Sequence, residues 1–315
     1  MAAKPCDIVL EGGGVKGIGL VGALTELEKS GFESCRVAGT SAGAIVGCLL
    51  AAGAKPSTLV TLMQSIDYKK FRDETLLSKL SVPGKITSIL FEKGIYRGNY
   101  AYKWLLTELD KLGVRTFADL KLTEQWATAL PPEQRYKLVV IVSDITRGRM
   151  VRLPWDYHEY GLNADDMLVA DAVRASMSIP YFYRPAKLKG RFLVDGGILS
   201  NFPIDIFDNV GEWPTFGVKL SAKPEAFTKM NPVTNPVDYG LAILSTTISA
   251  HDKMHLDDPC AQARTMFVDT FDIKATHFDI TTGEQRALFT SGQKTAKDFL
   301  EGWDFKKYQL LCPSK

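Results

Sequence analysis

The sequence has almost no excess of charge of either sign. Its 315 residues include 38 basic and 36 acidic side chains, which leaves a formal net charge of +2. General nucleic-acid binders need a clear excess of basic residues, so we expect no nucleic-acid partner. The near balance of charge neither supports nor excludes contact with a membrane surface.

Cysteine is scarce and irregularly spaced. The cysteines are odd in number, widely separated and without a CxxC pair; they stand at positions 6, 35, 48, 260 and 312. Small secreted domains that depend on disulfides have a denser, even set. We therefore expect reduced thiols in a cytosol-like compartment.

Long apolar runs that would target or anchor the chain are also missing. The N-terminal MAAKPCDIVLEGGG has no long apolar stretch after a basic start, so we expect no cleavable secretion signal and a cytoplasmic location. An uncharged run of 18 residues, 37–54, reaches only the lower limit for a membrane span. Because it is rich in Gly and Ala and contains Thr40 and Ser41, it favours a buried central helix.

The chain is long and apolar enough, at 45% hydrophobic residues, to bury a sizeable core. No repeat or linker divides it, so we expect a single domain over 1–315. Strand-like DIVL (7–10) and CRVAG (35–39) alternate with helix-like segments, the second of them at 42–52. This order predicts an α/β three-layer sandwich, with a mostly parallel sheet between helices on both faces. Further strands are predicted at 136–143, 149–153, 191–195 and 215–220 (the last of the sheet), and helices over most of 55–112 and over 164–176, 237–255 and 283–300.

A glycine-rich turn, EGGGVKG, follows the first predicted strand. Gly12, Gly14 and Gly17 match the dinucleotide fingerprint GxGxxG, but the second strand lacks the acidic residue that would hold a ribose. No GK[ST] follows, so the turn is not a P-loop. Two interpretations remain, a turn that allows close helix packing and a set of backbone N–H groups that stabilise an oxyanion.

The second turn, GTSAG, places Ser41 between a strand and an apolar helix. In a G-x-S-x-G elbow, small neighbours allow a sharp turn that exposes the serine hydroxyl. The helix that follows also directs the positive end of its dipole towards the serine oxygen. Next to a glycine loop on the preceding strand, this context favours a nucleophilic serine over a simple turn.

A nucleophilic serine needs a base, and Asp195 in VDGG is the first candidate. It ends an apolar strand, and sites in parallel sheets gather at the carboxyl ends of strands. We expect Asp195 to meet Ser41 from a neighbouring strand, while Gly196 and Gly197 turn the chain away. A DGG sequence on its own is more often just a turn.

Histidines offer two alternatives. His251, His255 and His277 lie downstream of Ser41, as in the triads of α/β-hydrolases, but that fold has several strands before its nucleophile. HDKMH (251–255) also resembles the zinc motif His-Glu-x-x-His, although its acid is the shorter Asp252. We expect a solvated helix end and no metal.

Three motifs together resemble those of the patatin-like phospholipases: GGGVKG (12–17), GTSAG (39–43) and DGG (195–197). Their order and spacing are specific, although each is weak alone. Further stretches agree with this family, namely GIYRGNYAYKWL (94–105), TFADL (116–120), SDITRG (143–148), DAVRASMSIPYFYRPAKLKGRFLVDGGILSNFP (171–203) and FDITTGEQRALFTSGQKTAKDFL (278–300). The resemblance implies one patatin-like domain, with its motifs in about 7–205 and with 206–311 completing it.

The resemblance also implies a serine esterase that acts on lipid acyl esters through a catalytic dyad, without histidine or cofactor. Ser41 would be the nucleophile, Asp195 its base, and N–H groups around Gly13, Gly14 and Val15 the oxyanion hole. The remaining motif glycines are Gly12, Gly17, Gly39, Gly43, Gly196 and Gly197. Burial of Asp195 would raise its pKa from about 3.9 and make it a better base.

Access to the site and its regulation are less defined by the sequence. Residues 63–104 mix basic and large apolar side chains, which fits either a lid or interfacial helices for a lipid substrate, or an ordinary helical layer. We expect peripheral contact with membranes. The alternatives to the hydrolase are a non-catalytic or effector-regulated lipid-binding protein on the same fold and, behind it, a dinucleotide oxidoreductase.

Overall fold

The computed structural model describes residues 3–73, 93–208, 213–220 and 258–312, together with positions 239, 242, 243 and 246. Residues 74–92 of the stretch expected to be mainly helical, most of the helix expected over 237–255, and the HDKMH segment lie outside the described residues. The described strands are β1 Lys4–Leu10, β2 Phe32–Thr40, β3 Gly94–Tyr96, β4 Leu138–Asp144, β5 Arg149–Leu153, β6 Tyr181–Tyr183, β7 Ala186–Leu188, β8 Arg191–Asp195, β9 Thr215–Lys219 and β10 Thr265–Phe267. The described α-helices are α1 Ile18–Lys29, α2 Ala42–Ala51, α3 Pro56–Ser65, α4 Asn99–Lys111, α5 Val169–Ser176, α6 Pro259–Ala263, α7 Thr282–Gly302 and α8 Phe305–Leu311.

A central sheet runs in the order β10-β9-β1-β2-β4-β8-β7, and β5 also pairs with β4. The strands from β10 to β4 are mutually parallel, whereas β5 and β8 run antiparallel to β4. Every residue of β4 is buried, as its apolar sequence LVVIVSD predicts for an inner strand. Helices cover both faces of the sheet, so the α/β sandwich expected from the sequence is confirmed.

One edge of β4 is shared by two strands that meet end to end. Thr40, the last residue of β2, pairs with Ile141, and Asp195, the last residue of β8, pairs with Val142. The opposite edge of β4 is occupied by β5 over the same stretch. The carboxyl ends of β2 and β8 therefore face each other along β4. The sequence analysis expected Asp195 on a strand beside that of Ser41; instead, its strand continues the line of β2 in the opposite direction.

The C-terminal helix α7 packs closely against α1. A Cβ on Gly22 of α1 would collide with the Phe289 carbonyl, and one on Gly292 of α7 would collide with the Gly19 carbonyl. Such small residues let two helix backbones approach each other. Thr281 and Glu284 form a capping box at the start of α7, which agrees with the helix expected over 283–300. The segment after residue 258 thus joins the layers formed by the first part of the chain.

Four strands, β3, β6, β7 and β10, were not expected from the sequence. Strand β10 pairs with β9, so the strand at 215–220 is not the last of the sheet. Strand β3 lies within the stretch expected to be mainly helical, and pairs with β6 in a separate two-stranded sheet. All four unexpected strands have only three residues, which is too short for a hydrophobic period to show.

The helix expected over 164–176 begins only at Val169. Residues 164–166 form a short 3-10 turn, in which the Asn163 side chain accepts a hydrogen bond from the Asp165 N–H. The Phe117 N–H then donates to the Met167 carbonyl at 3.0 Å. These contacts hold the chain extended before the helix, and they depend on a segment distant in sequence.

The expectation that all cysteines are reduced is wrong for one pair. Cys260 and Cys312 form a disulfide, with their Cα atoms 5.1 Å apart, while Cys6, Cys35 and Cys48 are free. The pair links α6 to the end of α8. Their separation of 52 residues hides this proximity in the sequence, because it arises only when α8 folds back onto α6.

No described helix has both the length and the apolar character that a bilayer crossing needs. The uncharged run over 37–54 divides between the end of β2 and the buried helix α2. It therefore lies in the centre of the fold, as its small residues indicated.

Candidate active site

Ser41 lies in a strained turn between β2 and α2. Its backbone angles are φ 50° and ψ −116°, in a region that residues with a side chain rarely adopt. The turn brings Gly39 and Gly43 so close together that a Cβ on Gly39 would collide with the Gly43 carbonyl. Strained backbone that the surrounding fold holds in place is typical of functional positions. The strand–turn–helix elbow expected for GTSAG is thus present.

Ser176, at the end of α5, holds this turn in place. The Ser41 N–H donates to Ser176 Oγ at 2.8 Å, and Ser176 Oγ donates to the Ile141 carbonyl at 2.6 Å. Ser176 is fully buried, and it connects the serine turn to β4. Sequence reasoning missed it, because one serine at a helix end has no distinguishing pattern.

Asp195 ends β8 with its carboxylate buried and half satisfied. Oδ1 accepts a hydrogen bond from the Gly197 N–H at 2.8 Å, while the Asp195 N–H donates to the Ser178 carbonyl at 3.0 Å. Oδ2 is buried and has no hydrogen-bond partner among the described residues. Burial raises the pKa of Asp195 to about 6, against the opposing effects of the Gly197 N–H and the Ser41 hydroxyl.

The serine hydroxyl and this carboxylate are neighbours without a well-aligned hydrogen bond. The Ser41 side chain is near enough to Asp195 to lower the pKa of the carboxyl, yet Oδ2 has no described partner that meets hydrogen-bond geometry. Contacts of this kind are often loose in an empty site and tighten with substrate. The free lone pairs of Oδ2 are those available to receive a proton.

Asp195→Asn is expected to stabilise the fold at neutral pH. Folding raises the pKa of this carboxyl from 3.8 to about 6, because the folded state disfavours the charge. The free energy of unfolding of the wild type therefore falls as pH increases between these values. The effect is absent below about pH 4 and reaches up to ~3 kcal/mol above pH 6. Urea unfolding at pH 4 and pH 8 measures this effect. The free energy of unfolding of the variant should exceed that of the wild type only at pH 8. Equal stability at both pH values would contradict a raised pKa.

The glycine loop between β1 and α1 leaves two N–H groups free. The Gly12 N–H donates to the Asn201 carbonyl at 3.2 Å, and the Val15 N–H donates to the Ala275 carbonyl at 3.0 Å. The N–H groups of Gly13 and Gly14 have no partner in the described part of the chain. Of the three N–H groups expected to form an oxyanion hole, at Gly13, Gly14 and Val15, that of Val15 is therefore already engaged in a hydrogen bond.

Gly14 can occupy its position only as glycine. Its φ is +57°, and a Cβ there would collide with the backbone carbonyl of Ala275. The same carbonyl holds Val15, so the segment around Ala275 fixes the loop from outside. That segment lies more than 250 residues away in sequence, and no motif in the loop predicts it.

Asn201 binds the start of the glycine loop through its side chain. Its Nδ2 donates to the Gly12 carbonyl at 3.2 Å and to Glu11 Oε1 at 3.3 Å. The buried Glu11 also accepts from Lys219 Nζ and from the Leu220 N–H. Asn201 and Glu11 thus position the loop, although the sequence analysis assigned a role to neither.

The motif glycines make the close approaches that bring the turns together. A Cβ on Gly12 would lie 3.2 Å from Ser41 Cβ, and one on Gly17 would lie 3.3 Å from Ala42 Cβ. A Cβ on Gly43 would collide with the Leu10 carbonyl, and one on Gly196 with that of Ile141. Gly197 contributes the N–H that binds Asp195.

An apolar pocket opens beside Ser41 and encloses about 450 Å³, part of it open to solvent. Gly14, Val15 and Ser41 form one side. The other walls are almost entirely apolar and consist of Ala42, Ile45, Met63, Ile66, Tyr68, Phe71, Met177, Ile179, Tyr183 and Phe278. Met63 was part of the segment that the sequence analysis interpreted as either a lid or a helical layer. Such a wall suits a hydrocarbon chain and offers little to a charged ligand.

The histidines do not join this site as far as the structure describes them. His277 is 44% exposed, and its Nε2 lies 3.7 Å from Glu284 Oε1 at the start of α7. It does not line the pocket with Ser41. His251 and His255 lie outside the described residues. The triad alternative therefore has no support from His277.

Comparison with known proteins identifies the family. The family model "Patatin-like phospholipase" matches residues 8–208, well over half of the chain. The chain belongs to the patatin-like phospholipase family. The resemblance of the three motifs is thereby confirmed, and the family name supports lipid hydrolysis.

Relatives of this patatin-like phospholipase are found among both known sequences and solved structures. The protein YqhO of Bacillus subtilis is 37% identical over 303 residues, which cover 95% of this chain and 99% of YqhO. Lysophospholipase NTE1 of Lodderomyces elongisporus is 27% identical over 247 residues, 76% of this chain but only 14% of that protein. The crystal structure of VipD from Legionella pneumophila has a TM-score of 0.56 at 18% identity and covers 96% of this chain and 67% of VipD. At that identity, the likeness to VipD shows the fold.

Proposed function

We propose that this chain hydrolyses carboxylic esters of membrane lipids through a Ser41–Asp195 dyad and an acyl-enzyme. The observation that carries the proposal is Asp195 Oδ2, which has no hydrogen-bond partner among the described residues and is buried beside a strained serine that lines an apolar pocket. A buried carboxylate with a pKa of about 6 is ionised at neutral pH and is a stronger base than an exposed one.

Acylation begins when Asp195 Oδ2 takes the proton of the Ser41 hydroxyl. Ser41 Oγ attacks the ester carbonyl carbon, and the carbonyl oxygen becomes an oxyanion. When this tetrahedral intermediate collapses, the bond to the leaving alcohol breaks, and Asp195 returns its proton to that oxygen. The acyl chain remains on Ser41, and the lysolipid or alcohol departs.

Deacylation repeats these steps with water. Asp195 takes a proton from water, whose oxygen attacks the acyl carbonyl. The second intermediate collapses, Ser41 Oγ leaves with the proton from Asp195, and the fatty acid is released. In both halves the Gly13 and Gly14 N–H groups stabilise the oxyanion, each typically by about 2.7–4 kcal/mol.

The pocket explains why the substrate would be a lipid. Tyr68, Phe71 and Phe278 line the pocket, where they would contact the acyl chain. The phenol oxygen of Tyr68 is buried without a described partner, and burial raises its pKa, so it stays neutral. An acyl chain in this pocket gains the free energy of leaving water, about 0.8 kcal/mol per buried CH₂ group. Because such substrates reside in bilayers, peripheral membrane contact is part of the proposal.

A lipid-binding protein without catalysis is the alternative. The same apolar pocket favours it, since pockets of this kind also carry lipids unchanged. A pure carrier, however, has no use for a strained serine beside a buried carboxylate without a partner.

Labelling by a fluorophosphonate probe separates the two functions. The wild type should be labelled at Ser41 and should release fatty acid from phospholipid vesicles, as measured by mass spectrometry. Ser65→Ala, at an exposed serine of α3, is the matched control and should behave like the wild type. Lipid binding without labelling and without fatty-acid release would establish the carrier instead.

A further inference from the structure

A hairpin beyond the active site presents basic residues without acidic partners. Between residues 172 and 194 the sequence has five basic side chains and no acidic one. Lys187 and Lys189 are exposed at the β7–β8 hairpin, and Arg191 starts β8. None of these three residues, nor the adjacent Lys93, forms an ion pair with a described residue.

Apolar side chains are interleaved with these charges. Lys93 Nζ and Lys187 Nζ lie over the Phe192 ring, 5.3 and 5.4 Å from its centroid. The Ile145 N–H donates to the Phe192 carbonyl at 3.1 Å, and the Ile145 side chain is 53% exposed. Tyr181 of β6, which pairs with Gly94 of β3, is 43% exposed. We call the group the basic hairpin surface; it consists of Lys93, Ile145, Tyr181, Lys187, Lys189, Arg191 and Phe192.

The backbone of this surface is held in unusual conformations. Five described residues other than glycine have positive φ: Ser41, Lys93, Tyr181, Lys189 and Phe271. Three of them, with φ of 62°, 65° and 47°, belong to the basic hairpin surface. For a tyrosine such an angle is a true outlier, and it persists only where the fold imposes it. At this position the Tyr181 ring is partly exposed to solvent.

The surface is continuous with the active site. Ile179 and Tyr183, on either side of Tyr181, line the acyl pocket. Strand β8 then runs from Arg191 to the proposed base, Asp195, so Arg191 lies roughly 13 Å from Asp195 at about 3.3 Å per residue, and the hairpin tip lies beyond it, past the carboxyl end of β4. A flat partner that contacted the hairpin would therefore approach the carboxyl edge of the sheet, next to which Ser41 lies.

We propose that the basic hairpin surface docks the protein on an anionic lipid bilayer and holds the pocket opening against it. Lysines attract acidic headgroups, and Tyr181 and Ile145 suit the headgroup boundary, where amphipathic and apolar side chains insert. A nucleic acid fits less well, because the chain as a whole has a net charge of only +2. The inference rests on the proposed lipid substrate, but its test does not need turnover.

The chain offers a matched charge control. Lys306 and Lys307 are also two exposed lysines, in α8. The neighbouring Tyr308 hydroxyl accepts a hydrogen bond from the N–H of Thr215, the first residue of β9, so α8 lies at the amino edge of the parallel strands, opposite the site. Lys187→Glu/Lys189→Glu and Lys306→Glu/Lys307→Glu change the net charge equally at the two edges.

Vesicle flotation tests the proposal, with Ser41→Ala in every chain so that no product accumulates. The parent should bind phosphatidylcholine vesicles containing phosphatidylserine more tightly than phosphatidylcholine alone, and salt should weaken the binding. Lys187→Glu/Lys189→Glu should bind at least about ten-fold more weakly, since each lysine contributes roughly five-fold. Lys306→Glu/Lys307→Glu should bind like the parent. Equal binding by both double variants, or equal binding of both vesicle types by the parent, would overturn the proposal.

Two further measurements separate docking from folding and chemistry. Tyr181→Asn removes the ring while asparagine tolerates positive φ, so it should weaken vesicle binding without lowering the melting temperature. Unchanged binding would overturn the role of Tyr181. With Ser41 intact, both lysine double variants should hydrolyse a soluble short-chain ester at the same rate. A loss of this activity only in Lys187→Glu/Lys189→Glu would show that the hairpin supports the chemistry and not docking.

Discussion

Ser41→Ala is expected to reduce ester hydrolysis at least about a thousandfold while leaving the fold intact. The turn at Ser41 is held by the hydrogen bond from the Ser41 backbone N–H to Ser176 Oγ. The Ser41 side chain itself makes no structural hydrogen bond with a described residue, so its removal should leave the turn in place. Asp195→Ala should cause a similar loss, since without Oδ2 the serine proton has no acceptor. Because the two residues act as one unit, the double variant should be no worse than the worse single variant.

The measurement is kcat/KM on a soluble ester, together with thermal unfolding of each variant. Ser65→Ala is the control for loss of a serine hydroxyl, and His277→Ala controls for the histidine alternative; both should keep activity within a few-fold. A folded Ser41→Ala or Asp195→Ala chain with a tenth of wild-type activity would exclude the dyad. Loss of activity in folded His277→Ala would instead favour a triad.

Gly13→Ala should lower kcat about a hundredfold or more with little change in KM. Its φ is −170°, an extended backbone that other residues adopt, and the added Cβ would lie 2.6 Å from Leu220 Cδ1. The end of a flexible side chain can yield, so the chain should fold, but the shift would misalign the Gly13 and Gly14 N–H groups. These groups matter only once the oxyanion forms, which is why kcat should fall and KM should not.

Gly14→Ala tests the same loop less cleanly, because its Cβ would strike the Ala275 backbone at φ +57°. It should lose stability as well as activity. Gly53→Ala provides the comparison: Gly53 has φ +93° with open space around it, so it carries the backbone cost alone. Steady-state kinetics and melting temperatures of the three variants separate the effects. Normal kcat in Gly13→Ala would mean that the loop is only a packing turn.

The sequence predicted the parts of this fold that repeat a pattern. The inner strand β4 is a continuous apolar run, and α7 has a helical period with a capping box, so both were found. Strands β3 and β10 have only three residues, and their pairing comes from neighbours far along the chain. The Cys260–Cys312 disulfide was missed for the same reason, since it depends on where α8 folds back.

The candidate site divides in the same way. Ser41, Asp195 and the glycines stand in short motifs whose residue types already express their chemistry. Ser176, Asn201 and Ala275 do not, because they act through hydrogen bonds to backbone or side-chain groups that are distant in sequence. A carbonyl such as that of Ala275 has no signature in sequence, since every residue carries one. Its role appears only with the folded loop.

The end-to-end meeting of β2 and β8 makes strand β4 act as a ruler for the reaction. Thr40, which precedes Ser41, pairs with Ile141, and Asp195 pairs with Val142, so the ends of the two strands are one residue apart along the fully buried β4. Loops around the pocket can change in length, or open and close, without altering that spacing. An extra residue within β4, in contrast, would separate the two groups and turn alternate side chains to the opposite face. Under the proposed mechanism, a change in the length of β4 should therefore disrupt the site, although β4 contributes no reacting atom.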